Sequence, residues 1–126
     1  GLYDGILIKE NHIEAAGSIT KAIQRMKKTR PDMQVETEVE NIEQLTDAIA
    51  AGADILLLDN FSIKDIQTAV GIADGQVKLE ASGGYEFKDL AAVAATGVDF
   101  ISVGALTKHV KATDFSMRFT TSFANT

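Results

Sequence analysis

Short apolar runs of four or five residues alternate with stretches of helical period from one end of the chain to the other, and that alternation leaves few folds open. It is the pattern of βα units on a parallel sheet, whose strands are buried on both faces and therefore read as nearly continuous apolar runs. The strand candidates are residues 6–9, 34–39, 54–58, 77–80 and 99–103. Between them Ile19, Ala22, Ile23 and Met26 recur at i, i+3, i+4 and i+7, and Ile42, Leu45 and Ile49 at i, i+3 and i+7. Each set predicts an amphipathic helix with one buried stripe. Ser62 with Asp65 three residues on has the form of a capping box, opening a helix with the stripe Ile63, Ile66 and Val70. Phe87, Leu90, Ala91 and Ala94 mark one more helix.

An internal repeat supports this reading. AGADILLLDN at 51–60 and TGVDFISVGA at 96–105 align without a gap, two βα units apart. Gly52 and Gly97 stand where a left-handed residue ends a helix, and each opens a Gly-x-Asp junction into a strand. Strand starts recur every roughly 20 to 28 residues, as in (β/α)8 barrels of about 250 residues. Five such units do not close that barrel. The fold class expected is α/β, with parallel β/α units forming an incomplete TIM-like barrel, open or truncated, in a single domain over residues 1–126. The start at Gly1, with no charged-then-apolar signal segment, favours a truncated barrel lacking its first strands.

Composition narrows the function. A net charge of −6 argues against sequence-independent nucleic-acid binding, which needs clustered cations. No apolar run approaches the ~20 residues needed to cross a bilayer, so no membrane role is expected. With no cysteine there is neither a thiolate metal site nor a cysteine nucleophile, and a reducing cytoplasm fits.

In parallel βα architectures ligands bind at the carboxyl ends of the strands. Those ends carry Lys9 with Glu10, Asn11 and His12; Glu38 with Glu40 and Asn41; Asp59 with Asn60; Glu80 with Ser82, Gly83 and Gly84; and Gly104. Strand interiors are apolar apart from Glu36, Lys78 and Ser102. The glycines at 83, 84 and 104 match the habit of barrels that grip a phosphate in their last two loops, where glycine lets backbone N–H groups approach the anion. Ser82 would add a hydroxyl donor; Ser-Gly-Gly alone is also a common turn. Lys9 places an ammonium at the rim, to meet an anion or simply to be solvated. Glu38 and Asp59 end neighbouring strands, so their carboxylates should converge, to hold Mg²⁺, bind ribose hydroxyls or stabilise a developing cation. Alternation puts Glu36 and Glu38 on one face, the interior in a barrel. His12 reads as an oriented hydrogen-bonding residue, and two histidines far apart make no metal site. Tyr3, Phe61, Tyr85, Phe115, Phe119 and Phe123 read as packing aromatics.

Taken in order, GLYDGILIKENHI, VETEVEN, LLLDN, EASGG and GVDFISVGALT resemble the quinolinate phosphoribosyltransferase family over essentially the whole chain, and the tail ALTKHVKATDFSMRF resembles its bacterial branch. The resemblance implies a reaction: quinolinate and phosphoribosyl pyrophosphate give nicotinate mononucleotide, pyrophosphate and CO₂ with Mg²⁺, in de novo NAD synthesis. It gives Lys9 to the carboxylates of quinolinate, Glu38 and Asp59 to the ribose, with Mg²⁺ reached through the substrate, and both Ser82, Gly83, Gly84 and Val103, Gly104, Ala105 to the phosphate. It also implies an N-terminal α/β sandwich, a Thr-Arg-Lys segment and a His-Arg pair that this sequence does not contain. A homodimer or higher oligomer, whose neighbouring subunit completes each site, is implied as well. Thr37 stands where valine is commoner, and Lys108-His109 replaces a Thr-His-Ser order. Two alternatives remain at this point: a non-catalytic half-barrel that binds a sugar phosphate, self-associating through open edge strands, and a barrel lyase or isomerase using Lys9 as a Schiff base.

Overall fold

A computed structural model describes residues 5–103 and 108–115. Its strands are β1 (Gly5–Ile8), β2 (Gln34–Val39), β3 (Ile55–Asp59), β4 (Lys78–Ser82), β5 (Phe100–Val103) and β6 (Lys108–Lys111). Its helices are α1 (Glu10–Ala16), α2 (Ile19–Thr29), α3 (Ile42–Ala51), α4 (Ile63–Ala73) and α5 (Phe87–Ala95). The strands form one sheet in the order β1-β2-β3-β4-β5-β6. β1 to β5 are parallel, and β6 returns antiparallel to β5. β1 and β6 are the two edges, so the sheet is an unclosed run of βα units, an incomplete barrel.

The expected helices form where their stripes demand. Ile19, Ala22, Ile23, Leu45, Ile66, Ala69, Leu90 and Val93 are buried against the strand row Ile8, Val35, Val39, Leu56, Leu58, Leu79, Ala81 and Ile101. Each large side chain in that layer contributes about 1.5–3 kcal/mol by leaving water. Asn41 and Ser62 cap α3 and α4 by accepting the N–H groups of Gln44 and Asp65. Gly52 (φ 93°) and Gly97 (φ 101°) are left-handed, as their places after α3 and α5 required.

The repeat has a mechanical meaning. Asp54 accepts the Val35 N–H at 2.7 Å and Asp99 accepts the Leu79 N–H at 2.9 Å, each clasping the neighbouring strand near its start. Lys27 and Lys78 lie beside these two carboxylates.

The structure adds or corrects four points. α1 begins directly after Lys9 and β6 forms after the last parallel strand; both elements are too short for a periodic signal. Strands β3 to β5 begin a residue later than their apolar runs, because the aspartate or valine at each junction belongs to the turn. β4 runs on to Ser82, so Glu80 is not at a strand end: it lies inside the strand, 1% exposed. Ser102 Oγ donates to Glu80 Oε2 at 2.5 Å, giving the buried carboxylate a partner.

Candidate active site

Register fixes what each face of the sheet carries. Glu36 lies beside Ile55 and Ile55 beside Lys78; Glu38 lies beside Leu57, Leu57 beside Glu80 and Glu80 beside Phe100; Asp59 lies beside Ser82. Paired residues of parallel strands share a face, so Glu36, Glu38, Asp59, Glu80 and Ser82 all lie opposite the helix-packed row. In a barrel that face is the interior, and the acidic row ends at the carboxyl edge of the strands.

Three expected site residues meet at this edge. Burial and the neighbouring Asp59 carboxylate hold the Glu38 carboxyl above the usual range, with a smaller push from Glu40, while the Lys9 ammonium pulls it down. Two carboxyls from adjacent strands, with a lysine in electrostatic reach, make a site that favours a cation or a developing positive charge. Lys9 itself is exposed at the start of α1, where its backbone N–H donates to His12 Nδ1 at 3.1 Å. His12 is thus the oriented hydrogen-bonding residue its isolation implied, serving the helix N-terminus.

The glycine loop stands next to the acids, because Asp59 and Ser82 are register partners. A Cβ on Gly83 would come within 2.8 Å of Asn60 Oδ1 and 3.5 Å of Tyr85 Cζ, so any larger residue would have to push the Asn60 side chain aside. At Gly84 no described atom lies within 4 Å of such a Cβ, so its backbone borders open space. Val103 ends β5 at the same edge; Gly104 and Ala105 lie outside the described residues.

One participant was missed. Tyr85, read as a packing aromatic, does pack partly against the core, yet its hydroxyl also donates to the Phe61 carbonyl at 3.2 Å. Burial first, then the Asp59 charge, hold that hydroxyl's pKa above its usual range, so it stays protonated and donating. Its place right after Gly84, beside the loop, was the signal available. At the same rim, a cleft of about 180 Å³ is lined by Glu10, Ile13, Glu14, Glu38, Glu40 and Gln44.

Among the described residues no three histidine, cysteine or acidic side chains gather as a metal site. The Glu38–Asp59 pair alone nonetheless suits Mg²⁺, which takes one or two protein carboxylates and completes its shell with water and substrate phosphates. The like-charge strain on Glu38 is what such a cation would relieve.

A parallel β/α sheet with an acidic interior face and a glycine loop at its carboxyl edge is the architecture of an incomplete β/α barrel, whose ligand crevice lies at that edge. The chain belongs to the family described as quinolinate phosphoribosyl transferase, C-terminal domain, whose model matches residues 1–118. It is 45% identical over 123 residues to the probable nicotinate-nucleotide pyrophosphorylase (carboxylating) of Bacillus subtilis, a match covering 97% of this chain and 43% of that protein. The solved nicotinate-nucleotide pyrophosphorylase of Francisella tularensis superposes with a TM-score of 0.78 at 57% identity, over 88% of this chain and 40% of that one. At 19% identity, 3-keto-L-gulonate-6-phosphate decarboxylase from Vibrio cholerae shares the fold, with a TM-score of 0.67. The chain therefore spans less than half the length of these relatives of its own family.

Proposed function

We propose that this chain carries the phosphoribosyl-handling part of a quinolinate phosphoribosyltransferase that yields nicotinate mononucleotide, pyrophosphate and CO₂ in NAD synthesis. The observation that carries the reading is the register pairing of Asp59 with Ser82, which sets a carboxylate pair beside a glycine loop. In this reading the backbone N–H groups of Gly83 and Gly84, with the Ser82 hydroxyl and the 103–105 segment, hold the ribose 5-phosphate. Glu38 and Asp59 face the anomeric carbon, where the leaving pyrophosphate opens an oxocarbenium-like centre that carboxylates stabilise. Lys9 offsets the charge of the dianionic pyridine substrate. Glu38 and Asp59 are the residues that would hold Mg²⁺, which would supply positive charge to the pyrophosphate leaving group.

The same reading includes a homodimer or higher oligomer and a cytoplasmic setting. The edge position of β1 and the exposure of Leu7 on it support association, and the cysteine-free sequence suits a reducing compartment. No described helix is long and apolar enough to cross a membrane.

The test replaces the matching segment of the Francisella tularensis enzyme with this chain and measures CO₂ release from carboxyl-labelled quinolinate. Release that requires phosphoribosyl pyrophosphate and Mg²⁺ is expected. A correctly folded hybrid that binds nicotinate mononucleotide without turnover would instead favour a non-catalytic sugar-phosphate-binding module.

A further inference from the structure

The turn that follows Asp59 is tied to the glycine loop at three points, one that extends the β3–β4 ladder past Asp59 and two that involve side chains. The Asn60 N–H donates to the Ser82 carbonyl at 2.8 Å. The Asn60 side chain fills the space beside Gly83, where a Cβ would meet its Oδ1 at 2.8 Å. The Tyr85 hydroxyl donates to the Phe61 carbonyl at 3.2 Å. Asn60 is held at φ 56°, a left-handed conformation that few residues other than glycine adopt and that asparagine tolerates best. A residue in that conformation persists where its surroundings over-determine it, and here the surroundings are the glycine loop.

We propose that Tyr85 is a positioning residue that locks the Asp59-bearing turn to the 82–84 loop, so that an anion gripped by the loop is registered against the acidic pair. The inference rests on the sugar-phosphate reading of that loop. Tyr85 is suited to the task because its ring lies against Gly83 while its hydroxyl reaches across to Phe61, two residues past Asp59. The span joins the loop to the turn through one rigid side chain with only two rotatable angles, so movement of the loop passes to the turn. Removing the hydroxyl breaks the cross-link and leaves every backbone donor in the loop in place.

The experiment uses the 126-residue chain in solution, with inorganic phosphate as probe and backbone amide shifts as readout. In the wild-type chain, titration should move the amides of Ser82, Gly83 and Gly84, and with the same dissociation constant those of Asp59, Asn60 and Phe61. In Tyr85→Phe the first group should still move, with affinity within about twofold, while the second group's shifts fall at least threefold. Asn60→Gly, which keeps the left-handed backbone but deletes the side-chain contact, should weaken the transmission in the same way. Undiminished shifts at 59–61 in both variants, or none there in the wild type, overturn the proposal. No shift at 82–84 in the wild type refutes the sugar-phosphate reading itself and this coupling with it. A merely structural Tyr85 would lower thermal stability and blur both groups together.

Discussion

Thr37 is fully buried on the helix-packed face of β2, and its hydroxyl has no hydrogen-bond partner among the described residues. A buried polar group left unpaired costs about 1–3 kcal/mol relative to its hydrated state. Thr37→Val removes that cost and changes little else, since both side chains are β-branched, favour strands and have nearly the same shape. We therefore expect the variant to be more stable by roughly 1–3 kcal/mol. For a domain of this size each kcal/mol raises Tm by about 4 °C, so the melting point should rise by about 4–12 °C. Circular dichroism during heating and in urea gives both quantities, and the urea midpoint should rise with an unchanged slope. Thr37→Ser provides the control: it keeps the hydroxyl, loses a buried methyl and should melt lower than wild type. A lower or unaltered Tm for Thr37→Val would refute the reasoning, because it would mean that the hydroxyl is satisfied.

Other expectations follow from the site. In the segment-swapped enzyme, Glu38→Ala or Asp59→Ala should lower turnover by orders of magnitude, and near-wild-type rates would remove these residues from the reaction. Because the folded-state pKa of Glu38 is raised, its contribution to stability is complete below the unfolded value and is lost as pH rises through the folded one. Glu38→Gln should therefore match wild type in mildly acid solution and become the more stable of the two as pH rises past the carboxylate range, as melting curves across pH would show. Gly83→Ala and Gly84→Ala should separate: the first meets Asn60 Oδ1 and should lower Tm, whereas the second meets no described atom and should leave Tm unchanged while weakening phosphate binding in a calorimetric titration.

The sequence made the layering legible because periodicity reports burial directly. Ile19, Ala22 and Ile23, or Leu56 and Leu58, are apolar for the same reason that they are inside. The carboxyl-edge residues could be gathered too, since a strand's last residues must face the crevice in a βα sheet. What periodicity cannot carry is exact register. The apolar run that ends at Glu80 points to the rim, although β4 continues two residues further and buries Glu80 against Ser102. The role of Tyr85 depends on a contact 24 residues away, to a backbone carbonyl that no side-chain pattern encodes. β6 owes its place to pairing with β5, a tertiary choice that four residues cannot announce by themselves.

If one sugar phosphate spans the glycine loop and the Glu38–Asp59 pair, calorimetric titration of the chain with phosphoribosyl pyrophosphate and Mg²⁺ will show it. Saturable binding is expected, and it should weaken when Mg²⁺ is omitted, with Gly84→Ala and with Asp59→Asn. Heats indistinguishable from dilution, or an affinity indifferent to all three changes, would contradict it.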